Sequence, residues 1–138
     1  MALLDEVGFI VASASTGFTL GTNVMRSRLE PTPDEQLAII ETGGLNPVNT
    51  MTSTVGAPIV ERPRFQVVSR AAKDNYQTAR TNAETAWKAL HNFTGPHGGS
   101  TGVTYHWMEA LQPPFSIGPD ESDRPLVAFN VQAHKDVS

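Results

Sequence analysis

Apolar residues recur with helical spacing at the start of the chain. Leu3, Leu4, Val7, Ile10, Val11 and Ala14 fall on one face, with Asp5 and Glu6 in the first turn where they complement the helix dipole. Gly17 and Gly21 close this region. The period then drops to two. Thr22–Glu30 and Glu35–Glu41 read as strands around the turn Pro31-Thr32-Pro33-Asp34, so a hairpin is expected there. Arg64–Ala71 is a clearer strand, with Phe65, Val67 and Ser69 on one side and Gln66, Val68 and Arg70 on the other. A second helix follows. Asp74 is its expected N-cap and Gln77 completes a capping box. Tyr76, Ala79, Ala83, Ala86, Trp87 and Leu90 form its apolar stripe, and Glu84 and Lys88 are spaced as an i,i+4 ion pair. Gly95 and Pro96 stop it. Val103–Leu111 alternates, with Val103, Tyr105 and Trp107 expected inward, until Pro113-Pro114 bends or ends the strand. After a polar turn at Pro119–Pro125, Leu126–Ala133 alternates again.

This order predicts an α+β fold. It has a mixed or mainly antiparallel sheet of four to five strands, two helices packed on one face, and the other face left for a neighbouring subunit. One segment has no period at all. From Gly43 to Pro63 a long inter-strand loop is expected, and compact domains rarely carry one of roughly 20 residues unless it is functional. Between Leu45 and Pro63 it has no Lys or His, and its single acid is Glu61. Apolar residues are spread through it among Thr, Asn and Pro. That composition suits a polypeptide surface, so Leu45, Asn46, Pro47, Val48, Met51, Val55, Pro58 and Ile59 are the candidate subunit or partner contacts.

With 138 residues, a single domain over residues 1–138 is expected, large enough for one real core. Charged residues make up 17%, below the usual level of roughly 25%, which favours buried interfaces. A net charge of −4 argues against a dedicated nucleic-acid binder. The absence of cysteine excludes disulfides, thiolate chemistry and cysteine-based zinc sites. Acids stand near the N-terminus where a signal peptide would want positive charge, and no apolar run approaches the ~18 residues of a membrane span.

Candidate chemistry is sparse. Gly98-Gly99-Ser100-Thr101-Gly102 matches G-x-S-x-G, but that elbow needs a strand before the serine and a helix after it; here the order is reversed, and a Gly-rich turn is the better reading. His91, His97, His106 and His134 show no metal-ligand spacing, although His106 and His134 are expected on paired strands. Asp120, Glu121 and Asp123 read as a solvated turn, and Trp87 and Trp107 as core residues packed on one another. Nothing combines a nucleophile, a base and an oxyanion site, so no catalytic, cofactor or metal residues are assigned.

Several short segments, taken in order, resemble a known family. They are Leu4-Asp5-Glu6-Val7-Gly8, Leu20-Gly21-Thr22-Asn23, Ile40-Glu41-Thr42-Gly43-Gly44, Val60-Glu61-Arg62-Pro63-Arg64-Phe65-Gln66-Val67, Glu109-Ala110-Leu111-Gln112 and Arg124-Pro125-Leu126-Val127-Ala128-Phe129-Asn130. Together they resemble the small minor capsid proteins of tailed phages, which are similar to tail terminators, also called tail-to-head joining proteins. The resemblance implies a structural virion protein at the tail–neck junction, assembled in the host bacterial cytoplasm. It implies a self-assembled ring, with a hexamer as the expected number. That ring would cap the tail tube, stop its polymerisation and meet the neck or connector protein. Genomic DNA would pass through the opening without specific binding, and neither membrane nor cofactor is involved. Two alternatives are a neck or head-completion protein of the same virion and, from another class, a small serine hydrolase-like enzyme using Ser100 and a histidine.

Overall fold

The computed structural model describes residues 3–48, 60–96 and 104–136. In chain order the elements are α1 (Leu3–Ala12), β1 (Val24–Arg26), β2 (Gln36–Val48), β3 (Val60–Arg70), α2 (Tyr76–Leu90), β4 (Gly95–Pro96), β5 (Thr104–Ala110), β6 (Phe115–Pro119) and β7 (Pro125–Asp136). The α+β class holds, with seven strands where the sequence pattern predicts four to five. The sheet order is β1-β2-β3-β7-β5-β4, with β6 also paired to β7. β5 and β6 lie antiparallel to successive stretches of β7, Lys135 to Val131 and Ala128 to Pro125. They line the same side of β7 and are interrupted at Leu111–Pro114, where proline supplies no backbone donor.

Both helices pack on one face. Val7 and Val11 of α1 and Ala86 and Leu90 of α2 join Leu37, Ile39, Phe65, Val67, Phe129, Val131 and Ala133 from the strands in one buried cluster. Those strand residues alternate along their strands, as a half-covered sheet requires.

Several local expectations change. β1 has three residues and runs parallel to β2, so the expected hairpin is a short crossover. The chain turns away at Ser27, which has φ 74°, and its return is fixed by side chains from elsewhere. The Arg70 guanidinium donates to the carbonyls of Glu30, Pro33 and Asp34 at 2.5, 2.8 and 2.9 Å. The Gln36 amide binds both the N–H and the C=O of Glu30. A strand three residues long shows no period of its own, so this pairing is set by tertiary contacts.

At α2 the N-cap position belongs to Asn75; Asp74 has φ 65° and cannot cap. Tyr76 is exposed, and Glu84 pairs with Arg80 at 3.0 Å instead of with Lys88. Gly95 and Pro96 form β4 beyond the helix end at His91.

β5 carries the clearest reversal. Tyr105 faces Lys135 and Trp107 faces His134, so His106 is an extra residue in the ladder. The bulge swaps the faces beyond it. Tyr105 and Met108 are buried, whereas Trp107 is 40% exposed and stacks on His134 with ring centroids 5.7 Å apart. Trp87 stacks on His91 at 5.6 Å, so the two tryptophans do not pack on one another.

β3 contains Pro63, which cannot donate to the ladder. The Gln132 amide fills the gap, donating to the carbonyls of Arg62 at 3.0 Å and Pro63 at 3.2 Å, while its oxygen accepts from Arg64 Nε at 2.6 Å. Gln132→Leu strands these groups in a site only 4% exposed. It is expected to cost about 1–3 kcal/mol, read from urea unfolding midpoints at constant m. A loss below 0.5 kcal/mol would show that water replaces the amide.

Candidate assembly interface

The segment expected as a loop from Gly43 to Pro63 is strand at both ends. β2 continues through Val48 and β3 begins at Val60, and Val48 pairs with Val60. The two strands extend as an arm, with residues 49–59 outside the described residues. Bulges interrupt the register between Glu41 and Gly43 and between Leu45 and Val48, which hid the strand period from the sequence. Gly43 takes φ 93° at the first bulge. At Gly44 an added Cβ would stand 2.5 Å from the Arg62 carbonyl, so only glycine lets the strands approach here. Arg62 Nε donates across the arm to the Asn46 carbonyl at 2.6 Å.

The arm is built without a core of its own. Residues 41–46 are all exposed, and Leu45 keeps 44% of its surface in solvent. β1 pairs with β2 only from Leu37 to Ile39, so among the described residues no strand pairs with the outer edge of β2 beyond that point. An open edge and exposed apolar side chains are the features by which one chain recruits another. Of the candidate contacts, Leu45 and Asn46 lie on the exposed part of β2, and Pro47 and Val48 are its last residues. Met51, Val55, Pro58 and Ile59 lie outside the described residues.

The root of the arm holds a group that the sequence did not reveal. Glu6 of α1 and Lys135 of β7, 0% and 3% exposed at their side chains, form an ion pair of 2.6 Å. The Tyr105 hydroxyl donates to the same carboxylate oxygen at 2.9 Å, and Lys135 Nζ stands 5.6 Å from the Tyr105 ring centre. Above them opens a cleft of about 310 Å³ lined by Leu3, Glu41, Gly43, Glu61, Pro63, Arg64 and Lys135. The contacting groups lie 99 and 129 residues apart in sequence, so no local pattern could show them.

Burial, the Glu6 charge, the hydrogen bond to Glu6 and the Glu61 charge all push the Tyr105 pKa far above its ordinary value of 10.0. A raised folded pKa means that the neutral phenol stabilises the fold below pH 10, and that this contribution is lost as pH rises above 10. The unfolding midpoint is therefore expected to fall above pH 10. The Tyr105→Phe variant should lose that part of the fall; identical alkaline profiles would exclude Tyr105 as its cause.

At the opposite end of the sheet Asp120 closes the β6–β7 turn. Burial alone would raise its pKa, but the backbone N–H groups of Arg124 and Ser122 and then the Arg124 guanidinium outweigh it and hold the pKa below the usual carboxylate value. This carboxylate serves turn geometry. Arg124 also donates to the Pro31 carbonyl at 2.8 Å.

The residues considered for enzyme chemistry are not brought together. Ser100 and His97 lie outside the described residues. His106 and His134 do lie on neighbouring strands, but His106 bonds Asp136 at 2.7 Å and His134 stacks on Trp107. His91 Nδ1 accepts the Ala110 N–H at 3.1 Å. Among the described residues no three metal-ligating side chains converge, and no helix is long and apolar enough to cross a membrane.

A helix-backed sheet with an exposed arm belongs to the class of proteins that work by fitting against other chains. The model of the family described as bacteriophage tail terminator protein matches residues 4–137, and the chain belongs to that family. No curated protein matches it. Among solved structures, a chain from the virion of a native gene transfer agent particle shares the fold with a TM-score of 0.65. Identity to that chain is 14%, over 99% of this chain and 96% of the other. The protein is a structural component of the phage virion and not an enzyme.

Proposed function

We infer that the chain, acting as a single-domain subunit, forms a closed ring, most simply of six copies, that caps the end of a phage tail tube. The ring ends tube polymerisation and offers its other face to the neck or connector, with DNA passing through the opening. The arm of β2 and β3 is the observation that carries this reading. It extends strands where there is no core to bury, and it leaves Leu45 and Asn46 exposed to solvent. The remaining candidates, Pro47, Val48, Met51, Val55, Pro58 and Ile59, continue the same segment. Contacts between two different patches of identical subunits close into a ring when the rotation per copy divides the circle. A net charge of −4 supports passage of DNA without retention, since a basic ring would hold phosphates.

Native mass spectrometry and negative-stain microscopy of the purified protein should show rings, and added tail tubes should carry them at one end. A monomer at high concentration that leaves tube ends bare would overturn this function. Rings found only on the head side of the neck would instead favour a head-completion role.

A further inference from the structure

Between α1 and the end of α2 the molecule carries an apolar groove of about 350 Å³. Phe9, Ile10 and Ala14 of the α1 region line one side, and Ala89, Phe93 and Pro96 from the end of α2 and β4 line the other. Among the described residues no ionisable side chain borders it. Phe9 stands in it 37% exposed. The arm has the matching property: from Thr42 to Val60 the chain contains no charged residue and no histidine. We propose that this groove receives the arm of a neighbouring copy of the same chain.

Three observations select that occupant. The centres of protein interfaces are depleted of charge, and these are two uncharged apolar surfaces on one chain. The arm continues β2 and β3, whereas the groove includes Pro96 of β4, the strand at the far edge of the sheet from β1 and β2. That placement directs the arm to another subunit. Finally, arm and groove are different patches, so each copy gives one and takes one. That is the head-to-tail contact a ring needs. The inference rests on the ring reading and names the surface that closes it.

The chain has no cysteine, so introduced thiols report only on each other. Ser13 lines the groove. The test combines Ser13→Cys with Asn46→Cys, and separately with Met51→Cys, under mild oxidation. At least one pair should give a covalent ladder on non-reducing gels, running up to the subunit number of the wild-type ring. Each single-cysteine variant should give dimers at most. Ala89→Asp, which places a charge in the groove, should lose the ring while remaining folded by circular dichroism; Lys88→Ala beside it should keep the ring. Wild-type rings with no ladder from either pair would overturn the groove assignment and leave the ring reading standing. A crosslink confined to monomers would show the arm lying in its own groove, which also overturns it. Absence of rings in the wild-type protein would overturn both.

Discussion

Lys135→Ala is expected to lower the free energy of unfolding by about 3–5 kcal/mol, the usual cost of breaking a buried ion pair by removing one member. The Glu6 carboxylate is fully buried and keeps the Tyr105 hydroxyl, but loses the ammonium at 2.6 Å. For a domain stable by about 5–15 kcal/mol, that is a large fraction of the total. The cost belongs to the buried carboxylate that loses its ammonium and not to a strongly stabilising pair. The triple variant Glu6→Leu, Tyr105→Phe, Lys135→Met should therefore recover most of it, because an apolar replacement removes the desolvation cost together with the attraction. Denaturant unfolding of the three chains, wild type, single and triple, reads the difference. If the single variant loses less than 1 kcal/mol, water must be reaching the carboxylate, and the site is not the sealed one described above.

The second large effect concerns assembly. Replacing residues 45–60 by an Asn-Gly turn should leave the subunit folded and abolish the ring. The fold should survive because residues 41–46 are exposed and, among the described residues, none of those removed belongs to the buried cluster. The substitution also keeps Glu61, which pairs with Lys135, and joins the paired Gly44 and Pro63 by the four residues Asn-Gly-Glu61-Arg62, a length common in hairpin loops. Thermal unfolding should therefore shift by only a few degrees, roughly the equivalent of 1 kcal/mol or less. Sedimentation should show monomers in place of rings. A truncated chain that still forms rings would remove the arm from the assembly contact. A truncated chain that fails to fold would show instead that the arm belongs to the subunit's own stability.

The sequence and the structure diverge most where the sheet edges and the arm are formed. Both helices and the strands around Phe65–Val67 and Val127–Ala133 were legible because burial on one side imposes a period on the side chains. The lone extra residue at His106 was not. A bulge is a property of two paired strands, and it sent Trp107 to the surface against a pattern that reads as an unbroken strand. The arm illustrates the same point. Two register shifts and an exposed surface erased its alternation, so an extended hairpin had the appearance of a loop. What did survive in the sequence was its composition, which marked the segment as suited to protein contact before its shape was known.

The sequence by itself therefore determined the helices, the longer buried strands, the acidic and cysteine-free character of the chain, and the uncharged composition of the arm. These follow from side-chain chemistry acting over a few neighbouring residues. Tertiary structure alone decided the parallel placement of β1, the outward turn of Trp107, the filling of the Pro63 gap by Gln132 and the closed Glu6–Tyr105–Lys135 group. Each of these depends on a hydrogen bond, a register or an electrostatic attraction between residues distant in sequence. Such terms have no period along the chain and exist only once the strands are side by side.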